Sequence, residues 1–470
     1  MMKGIRQFVV LVLMWLTAFN LYGQDLTQSI DSLIRVYRPM KVSQLGIAVY
    51  DLTEGRHLYG HNAHMLFRPA STQKIITAVT AAMVLGHDYE FLTSLSCNGE
   101  LRGDTLHGDL IVWGGLDPLF SEEDMDEMVS AVVSRGIRCV DGSLLGDVSL
   151  MDSIYWGPGW SYDDAPGYYQ PYISPLMLCG GSVEVKVTPS SSGNPNVKIS
   201  PESDFYTVRR EERKQVRPRV KMEATRNWLT GGNEILLLHL TNRPYTARLS
   251  MYPSDKFFLY TLLYKLRQKG VSVLKDVSAV RSHSPNLLKG LTFLSAIRRP
   301  LSDVMERALK KSDNLCAEAM FIHLGLTVPD ALLSGFEEGK EAVEKYMKEM
   351  MLISPHDCNV MDGSGLSPYN LVSPEQMMSY LKRGEWDEMF CSSLPVAATD
   401  GTLANRMKNG KAAGNVRAKT GSVTGVSTLA GYVNQTSTGH RLAFVIFCQN
   451  ILKQRDARQF QDKVCEILAR

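Results

Sequence analysis

Residues from about 90 to 285 differ in character from the sequence on either side, and that change limits the folds open to the chain. Upstream, Gly46 to Tyr50 and Arg56 to Tyr59 read as two strands around a turn at Thr53–Gly55. Pro69 then precedes a helix from about Ser71 to Leu85, with Ile75, Ile76, Val79 and Met83 at helical spacing. Downstream of about residue 290 helices return, one capped by Ser302 and running through Lys310, another following Asn314. The chain then reads as strand (Ser427 to Val433), turn (Ser437 to Gly439), strand (Leu442 to Cys448) and a last helix. In that helix Phe460, Val464, Ile467 and Leu468 form a stripe suited to core packing. The middle is strand-like, as in Leu110 to Trp113 and Glu234 to Leu240, and rich in turns such as Ser190 to Pro195. The pattern predicts one discontinuous α/β domain interrupted, after its first long helix, by one or two β-rich insertions.

Composition narrows the function classes. In 470 residues, 44% are hydrophobic and 21% charged, the balance of a globular protein. Lys plus Arg is 51 against 49 Asp plus Glu, which gives no electrostatic signal for nucleic acid. A basic run from Val208 to Lys221 is diluted by Glu211 and Glu212 and reads as a solvated strand pair or loop. Lys3 and Arg6 precede an apolar run from Phe8 to Leu16, extended by Ala18, Phe19 and Leu21. This is about half of what a membrane span of roughly 20 residues needs. It predicts a secretory signal peptide over residues 1–23, cleaved near Gly23–Gln24, and peripheral or no membrane association afterwards. An exported chain can form disulfides, and Cys97–Cys139 is one conceivable pair among the eight cysteines. The cysteines have no zinc-ligand spacing, and His61 and His64 lack a matching carboxylate pattern, so no metal or other cofactor is expected.

Three short motifs carry chemistry. Ser71-Thr72-Gln73-Lys74 opens a helix, and a spacing of three puts serine and lysine on one face. A serine hydroxyl becomes a useful nucleophile when a neighbour takes its proton, and a lysine with a lowered pKa can do so. The bland alternative is a serine cap followed by an ordinary helical lysine. Ser312-Asp313-Asn314 offers a hydroxyl for proton relay and an amide to hold a carbonyl, or else only a helix cap. Lys419-Thr420-Gly421 precedes a strand. Its lysine and threonine suit a carboxylate, and Gly421 would let substrate lie close to the strand edge. The backbone N–H groups of Ser422 and Ser71 could aim together at an oxyanion.

The set S-x-x-K, S-D-N and K-T-G, in that order, is shared by class A β-lactamases and penicillin-binding proteins. Ser312 lies more than two hundred residues beyond Lys74. With that gap, the chain resembles the D-alanyl-D-alanine carboxypeptidase/endopeptidase family, the class C low-molecular-mass penicillin-binding proteins. Further stretches similar to that family are HGDLIVWGGLDP (His107 to Pro118), DGSLLGDVS (Asp141 to Ser149), GPGWSYDDAPGYY (Gly157 to Tyr169), DGSGLS (Asp362 to Ser367) and LPVAATDGTL (Leu394 to Leu403).

The resemblance implies a penicillin-recognising serine transpeptidase/β-lactamase-like domain over 24–88 and 286–470. It implies a first insertion over 89–188 and 242–285, with a second, β-rich one nested at 189–241. It implies cleavage of peptidoglycan stem peptides and crosslinks through a Ser71 acyl-enzyme, with β-lactams acylating the same serine. Lys74 would be the base and Ser312 the proton relay. Asn314 would orient substrate, while Lys419 and Thr420 would hold its terminal carboxylate. Trp160, Asp163 and Tyr168 would form a pocket for the stem-peptide side chain. The implied location is the periplasm. One departure stands out: relatives usually carry Arg after G-L-S where this chain has Pro368, so either the side-chain carboxylate is amidated or another cation meets it. A β-lactamase, an esterase of the same fold and a binding protein with a dead site are the competing readings. The absence of an E-x-x-L-N stretch after S-D-N argues against the first.

Overall fold

The computed structural model describes residues 26–211, 224–238, 242–281 and 290–470. The expected signal peptide and most of the basic run after Glu211 lie outside these residues. The chain forms two compact units. The first takes the described residues up to Met83, then Met305–Ser312 and Val343–Arg470; the second takes Val84–Val304 and Asp313–Ala342.

The first unit is built on a five-stranded antiparallel sheet in the order Arg417–Val423, Val426–Asn434, Arg441–Gln449, Gln44–Asp51, Arg56–His61. The last long strand therefore pairs with the first, with Ile47 opposite Ile446 and Val49 opposite Phe444. This register turns Ile47, Val49, Phe444 and Ile446 toward one core, closed by Ile30 from a helix over residues 26–36 and by Phe460, Val464 and Leu468 from the helix Gln454–Leu468. The apolar stripe predicted in that last helix is thus core, with Ile467 at its margin. On the opposite face the Tyr432 hydroxyl donates to the Leu381 carbonyl at 2.6 Å, which ties the sheet to the helix Pro374–Gly384.

The helix Gln73–Val84 is buried from Gln73 through Ala82, around its whole circumference. A helix apolar on all sides belongs inside a domain, and Lys74 is the only charged residue in this one. The sequence predicted the helix from Ser71. The structure instead places Ser71 in a short 3₁₀ turn, Ala70–Thr72, and starts the α-helix at Gln73. Ala70, immediately before Ser71, has a left-handed φ of 46°.

The second unit carries a mixed five-stranded sheet. Its order is Val277–Val280, Leu144–Asp147, Leu110–Trp113, Glu90–Cys97, Thr292–Pro300. The helices Glu122–Ser134 and Ser254–Gln268 pack their Met125, Met128, Phe258 and Leu262 into the same core as Leu95, Val112 and Leu144. Two three-stranded sheets lie farther along. One centres on Ser182–Thr188 and the other on Glu234–Leu238. The described start of the basic run is a strand, Thr207–Glu211, in which Arg209 makes a two-pronged bond to Glu234 at 2.9 and 3.1 Å. All eight cysteines are free thiols, so Cys97 and Cys139 are not joined.

The helix Asn314–Gly325 carries a buried histidine, His323, 3% exposed. Its Nε2 lies 3.1 Å from the Gly115 carbonyl and its Nδ1 2.7 Å from the Tyr89 hydroxyl. A neutral ring satisfies both, with Nε2–H donating to the carbonyl and Nδ1 accepting from Tyr89. Burial pushes its pKa down to about 4, against a small upward pull from the Gly115 bond. The unfolded ring takes up a proton at an ordinary value of about 6.5, whereas the folded ring resists until about 4. Its contribution is therefore complete above pH 6.5 and is lost as pH falls through 4. Asp117 in the same unit has the opposite sign. Burial raises its pKa to about 6 despite bonds from Leu119 and Arg299, so its contribution is complete at acid pH and lost as pH rises through 6. Comparison with a variant isolates the histidine. Between pH 7 and pH 4, the stability advantage of the native chain over His323→Asn shrinks by about 3 kcal/mol. Amide hydrogen exchange in the helix Asn314–Gly325 measures this, and an advantage independent of pH would refute the neutral assignment.

Candidate active site

The nucleophile candidate is held by its backbone before its side chain acts. The Pro69 carbonyl accepts from Thr72 Oγ1 at 2.6 Å and from Thr428 Oγ1 at 2.7 Å, which fastens the turn to the sheet. Strain of the Ala70 kind persists only where the surroundings over-determine it. Two glycines make room for it. A Cβ on Gly365 would lie 1.8 Å from the Ala70 carbonyl oxygen. One on Gly421 would lie 2.0 Å from Thr428 Oγ1 and 2.9 Å from the Ser71 nitrogen. Gly421 is thus required by the close approach of the Ser71 turn to its strand, a demand additional to the substrate access read from sequence.

Lys74, with no exposed surface, points its Nζ at Ser71 Oγ, 3.0 Å away. A second bond of 2.8 Å runs from Nζ to the Ser364 carbonyl. That carbonyl belongs to the DGSGLS segment, which is organised around Asp362. The buried Asp362 carboxylate accepts from the backbone N–H of Gly365 at 2.7 Å and of Ser367 at 2.6 Å, and from Asn370 Nδ2 at 2.8 Å. Backbone carbonyls solvate a buried ammonium without adding a permanent countercharge. Sequence reasoning gave Ser364 no role, because a main-chain acceptor leaves no mark on residue type.

The other two motifs meet on the same unit. Lys419 is wholly buried, and its Nζ donates to Ser312 Oγ at 2.8 Å and to the Thr420 carbonyl at 2.6 Å. Burial first, and then the charge of Lys74, hold Lys419 well below the usual lysine range. Ser312 sits at a left-handed φ of 59° immediately before Asp313, which caps the next helix by accepting from the Cys316 N–H. The capping reading of S-D-N is therefore correct for Asp313 and leaves Ser312 available to Lys419. Thr420 Oγ1 meets Thr402 Oγ1 at 2.8 Å. Thr402 stands in the turn Gly401–Leu403, and the preceding Asp400 binds Lys310 Nζ at 2.5 Å and the Val396 N–H at 2.8 Å. Burial alone would raise the Asp400 pKa, but Lys310 and the Val396 N–H bring it below the ordinary carboxylate value. Ser71, Ser312, Thr402, Thr420, Gly421 and Ser422 line one cavity of about 650 Å³.

The remaining candidates lie in the second unit. Asn314 donates from Nδ2 to the Tyr169 carbonyl at 2.7 Å. The segment it touches also carries the other three residues. Trp160 is 6% exposed and packs edge-on against Phe336, with ring centres 5.9 Å apart. Asp163 is exposed in a short turn, Tyr162–Asp164. Tyr168 is half exposed beneath the Arg248 guanidinium, 4.9 Å from its ring centre. Asp163 and Tyr168 thus face outward while Trp160 anchors the segment.

The model of the D-Ala-D-Ala carboxypeptidase 3 (S13) family matches residues 26–470. The chain belongs to that family. A D-alanyl-D-alanine carboxypeptidase of an Actinomadura species is 30% identical over 83% of this chain and 74% of its own length. The D-alanyl-D-alanine carboxypeptidase DacB of Haemophilus influenzae is 25% identical over 92% of this chain and 88% of its own. The fold matches the crystal structure of penicillin-binding protein 4 from Haemophilus influenzae with a TM-score of 0.82, at 22% identity, covering 94% of this chain and 99% of that one. A penicillin G-acylated predatory endopeptidase from Bdellovibrio bacteriovorus matches at a TM-score of 0.52 and 19% identity, covering 90% and 92%. The α/β, penicillin-recognising fold expected from the sequence is therefore the fold of this family member.

Two outcomes test the geometry. Gly421→Ala displaces the Ser71 turn and slows acylation by penicillin about a hundredfold, as about 1 Å of misplacement does in general; a native rate in a gel-labelling time course would refute the close-approach argument. Asp362→Ala strands three buried donors and lowers unfolding stability of the first unit by about 3 kcal/mol, read from urea unfolding, and loosens Lys74 with it.

Proposed function

We propose that Ser71 is the nucleophile of a serine-type D-Ala-D-Ala carboxypeptidase, and that the enzyme also opens D-amino-acid crosslinks of peptidoglycan. The observation that carries this reading is the 3.0 Å contact between Lys74 Nζ and Ser71 Oγ, in the same unit as the Lys419–Ser312 contact. Ser71 Oγ attacks the carbonyl between two D-alanines and its proton passes to the Lys74 amine. The Ser71 and Ser422 N–H groups hold the developing oxyanion. The carbon–nitrogen bond breaks as the leaving amine takes a proton by way of Ser312, whose hydroxyl Lys419 fixes. Thr420 and Lys419 hold the carboxylate of the leaving D-alanine, and Asn314 orients the donor peptide. Water then releases the acyl group and restores the Ser71 hydroxyl. A β-lactam follows the same first steps but keeps its leaving group tethered, so its acyl-enzyme persists. No metal or cofactor takes part.

In this reading Asp163 pairs with an ammonium on the stem-peptide side chain, and its exposure in the turn supports that use. The nesting of residues 189–241 inside 89–188 and 242–285 belongs to the same reading, supported by the pairing of Ser182–Thr188 with Tyr245–Ser250. We place the enzyme in the periplasm, delivered by cleavage of residues 1–23. No helix among the described residues is long and apolar enough to cross a membrane.

Ser71→Ala keeps the fold and abolishes both D-Ala release and covalent labelling by a fluorescent penicillin. A labelled band in that variant would remove Ser71 as nucleophile, and rapid consumption of penicillin by the native chain without a band would favour a β-lactamase. Asp163→Ala costs about tenfold in kcat/KM on a full stem peptide, the value of a charge-assisted bond, and little on a bare acyl-D-Ala-D-Ala. Equal losses on both substrates would discard the side-chain pocket.

A further inference from the structure

The cavity that holds Ser71 is larger than a departing alanine requires. Its volume of about 650 Å³ is in the range that accommodates drug-sized ligands. It runs past Thr420 and Ser422, along the edge strand Arg417–Val423, to Arg455 and Arg458 on the helix Gln454–Leu468. These two residues are three apart on one helix face. Both are exposed, and among the described residues neither guanidinium makes a hydrogen bond or ion pair. The acidic residue that lines the cavity, Asp462, is already held by Arg406 at 2.6 Å. Two uncommitted cations therefore bound the far end. Arg455 also occupies the first turn of its helix, where positive charge works against the backbone dipoles.

We propose that this arm of the cavity binds the leaving half of a crosslinked peptide through its carboxylates, with Arg455 and Arg458 as the specificity-determining cations. The inference rests on Ser71 being the nucleophile, and it names the chemistry on the departing side of the bond. A single D-alanine leaves with one carboxylate, which Thr420 and Lys419 already serve. When the departing amine instead belongs to the side chain of a second, acidic peptide, further carboxylates leave with it, and the arginines meet those. The bond that breaks and the proton the amine receives are the same in both cases.

The test compares two substrates on the native chain and on Arg455→Ala/Arg458→Ala. One is a stem pentapeptide ending in D-Ala-D-Ala. The other is a synthetic dimer whose D-Ala carbonyl is joined to the side-chain amine of a second, acidic tetrapeptide. The expected result is that the ratio of kcat/KM for dimer to pentapeptide falls about tenfold in the variant, as two partly solvated charge pairs would give. Amidating the carboxylates of the leaving tetrapeptide should abolish the difference between native chain and variant. Added salt should depress turnover of the acidic dimer by the native chain more than that of the pentapeptide. An unchanged ratio, or equal sensitivity of the amidated dimer, overturns the subsite while leaving the nucleophile intact. Failure of the native chain to cleave either substrate, with no penicillin label, overturns the nucleophile reading and the subsite together.

Discussion

Two lysine side chains lie in the interior of the first unit, and the site is arranged around the difficulty of holding a charge on either of them there. Removing such a charge from water costs several kcal/mol unless polar groups replace the solvent. Here the replacements are oxygens: the Ser364 carbonyl and Ser71 hydroxyl for Lys74, the Thr420 carbonyl and Ser312 hydroxyl for Lys419. Each hydroxyl that solvates a lysine is also a hydroxyl positioned for proton transfer. The same contacts thus solvate the buried amino groups and hold each hydroxyl within reach of one.

Much of the second layer follows from that demand. The Ser364 carbonyl reaches Lys74 only because Asp362 gathers the N–H groups of Gly365 and Ser367 into a tight loop. The Ser71 turn lies against the edge strand only because residue 421 has no side chain. The left-handed backbone at Ala70 and at Ser312 marks the two places where a hydroxyl is turned toward a lysine. Strain at these points is opposed by the close packing on either side.

The parts of this arrangement that the sequence revealed are those written in residue type and short spacing. Ser71 and Lys74 are one helical turn apart, and the Lys419 strand has its own pattern, so both were readable locally. The split α/β unit was readable because helix and strand periodicity stop and resume across the middle of the chain. The resemblance supplied the expected pairing of distant motifs; the family it named is the one whose model matches residues 26–470. Less legible were Ser364, whose contribution is a carbonyl, and Thr402, whose hydroxyl meets Thr420 only through the folding of two separate segments. The helix Gln73–Val84 starts two residues later than its pattern predicts, because residue type does not separate a 3₁₀ turn from the first turn of an α-helix. Trp160 was read with Asp163 and Tyr168 as one pocket, yet burial against Phe336 separates it from its exposed neighbours. Alternation of aromatic and acidic residues does not say which side chains turn inward.

The pairing of Gln44–Asp51 with Arg441–Gln449 has a consequence in time. A ribosome makes the chain from one end, and the early strand has no neighbour on that side until nearly the last residues emerge. The second unit, whose strands lie between, has its partners much sooner. Contacts so distant in sequence are slow to form, and this one closes the sheet on which Ser71 and Lys419 are brought together. A chain stopped short of the final strand therefore carries Ser71, Lys74 and Lys419 in its sequence without the closed sheet that brings the Ser71 turn and the Lys419 strand together.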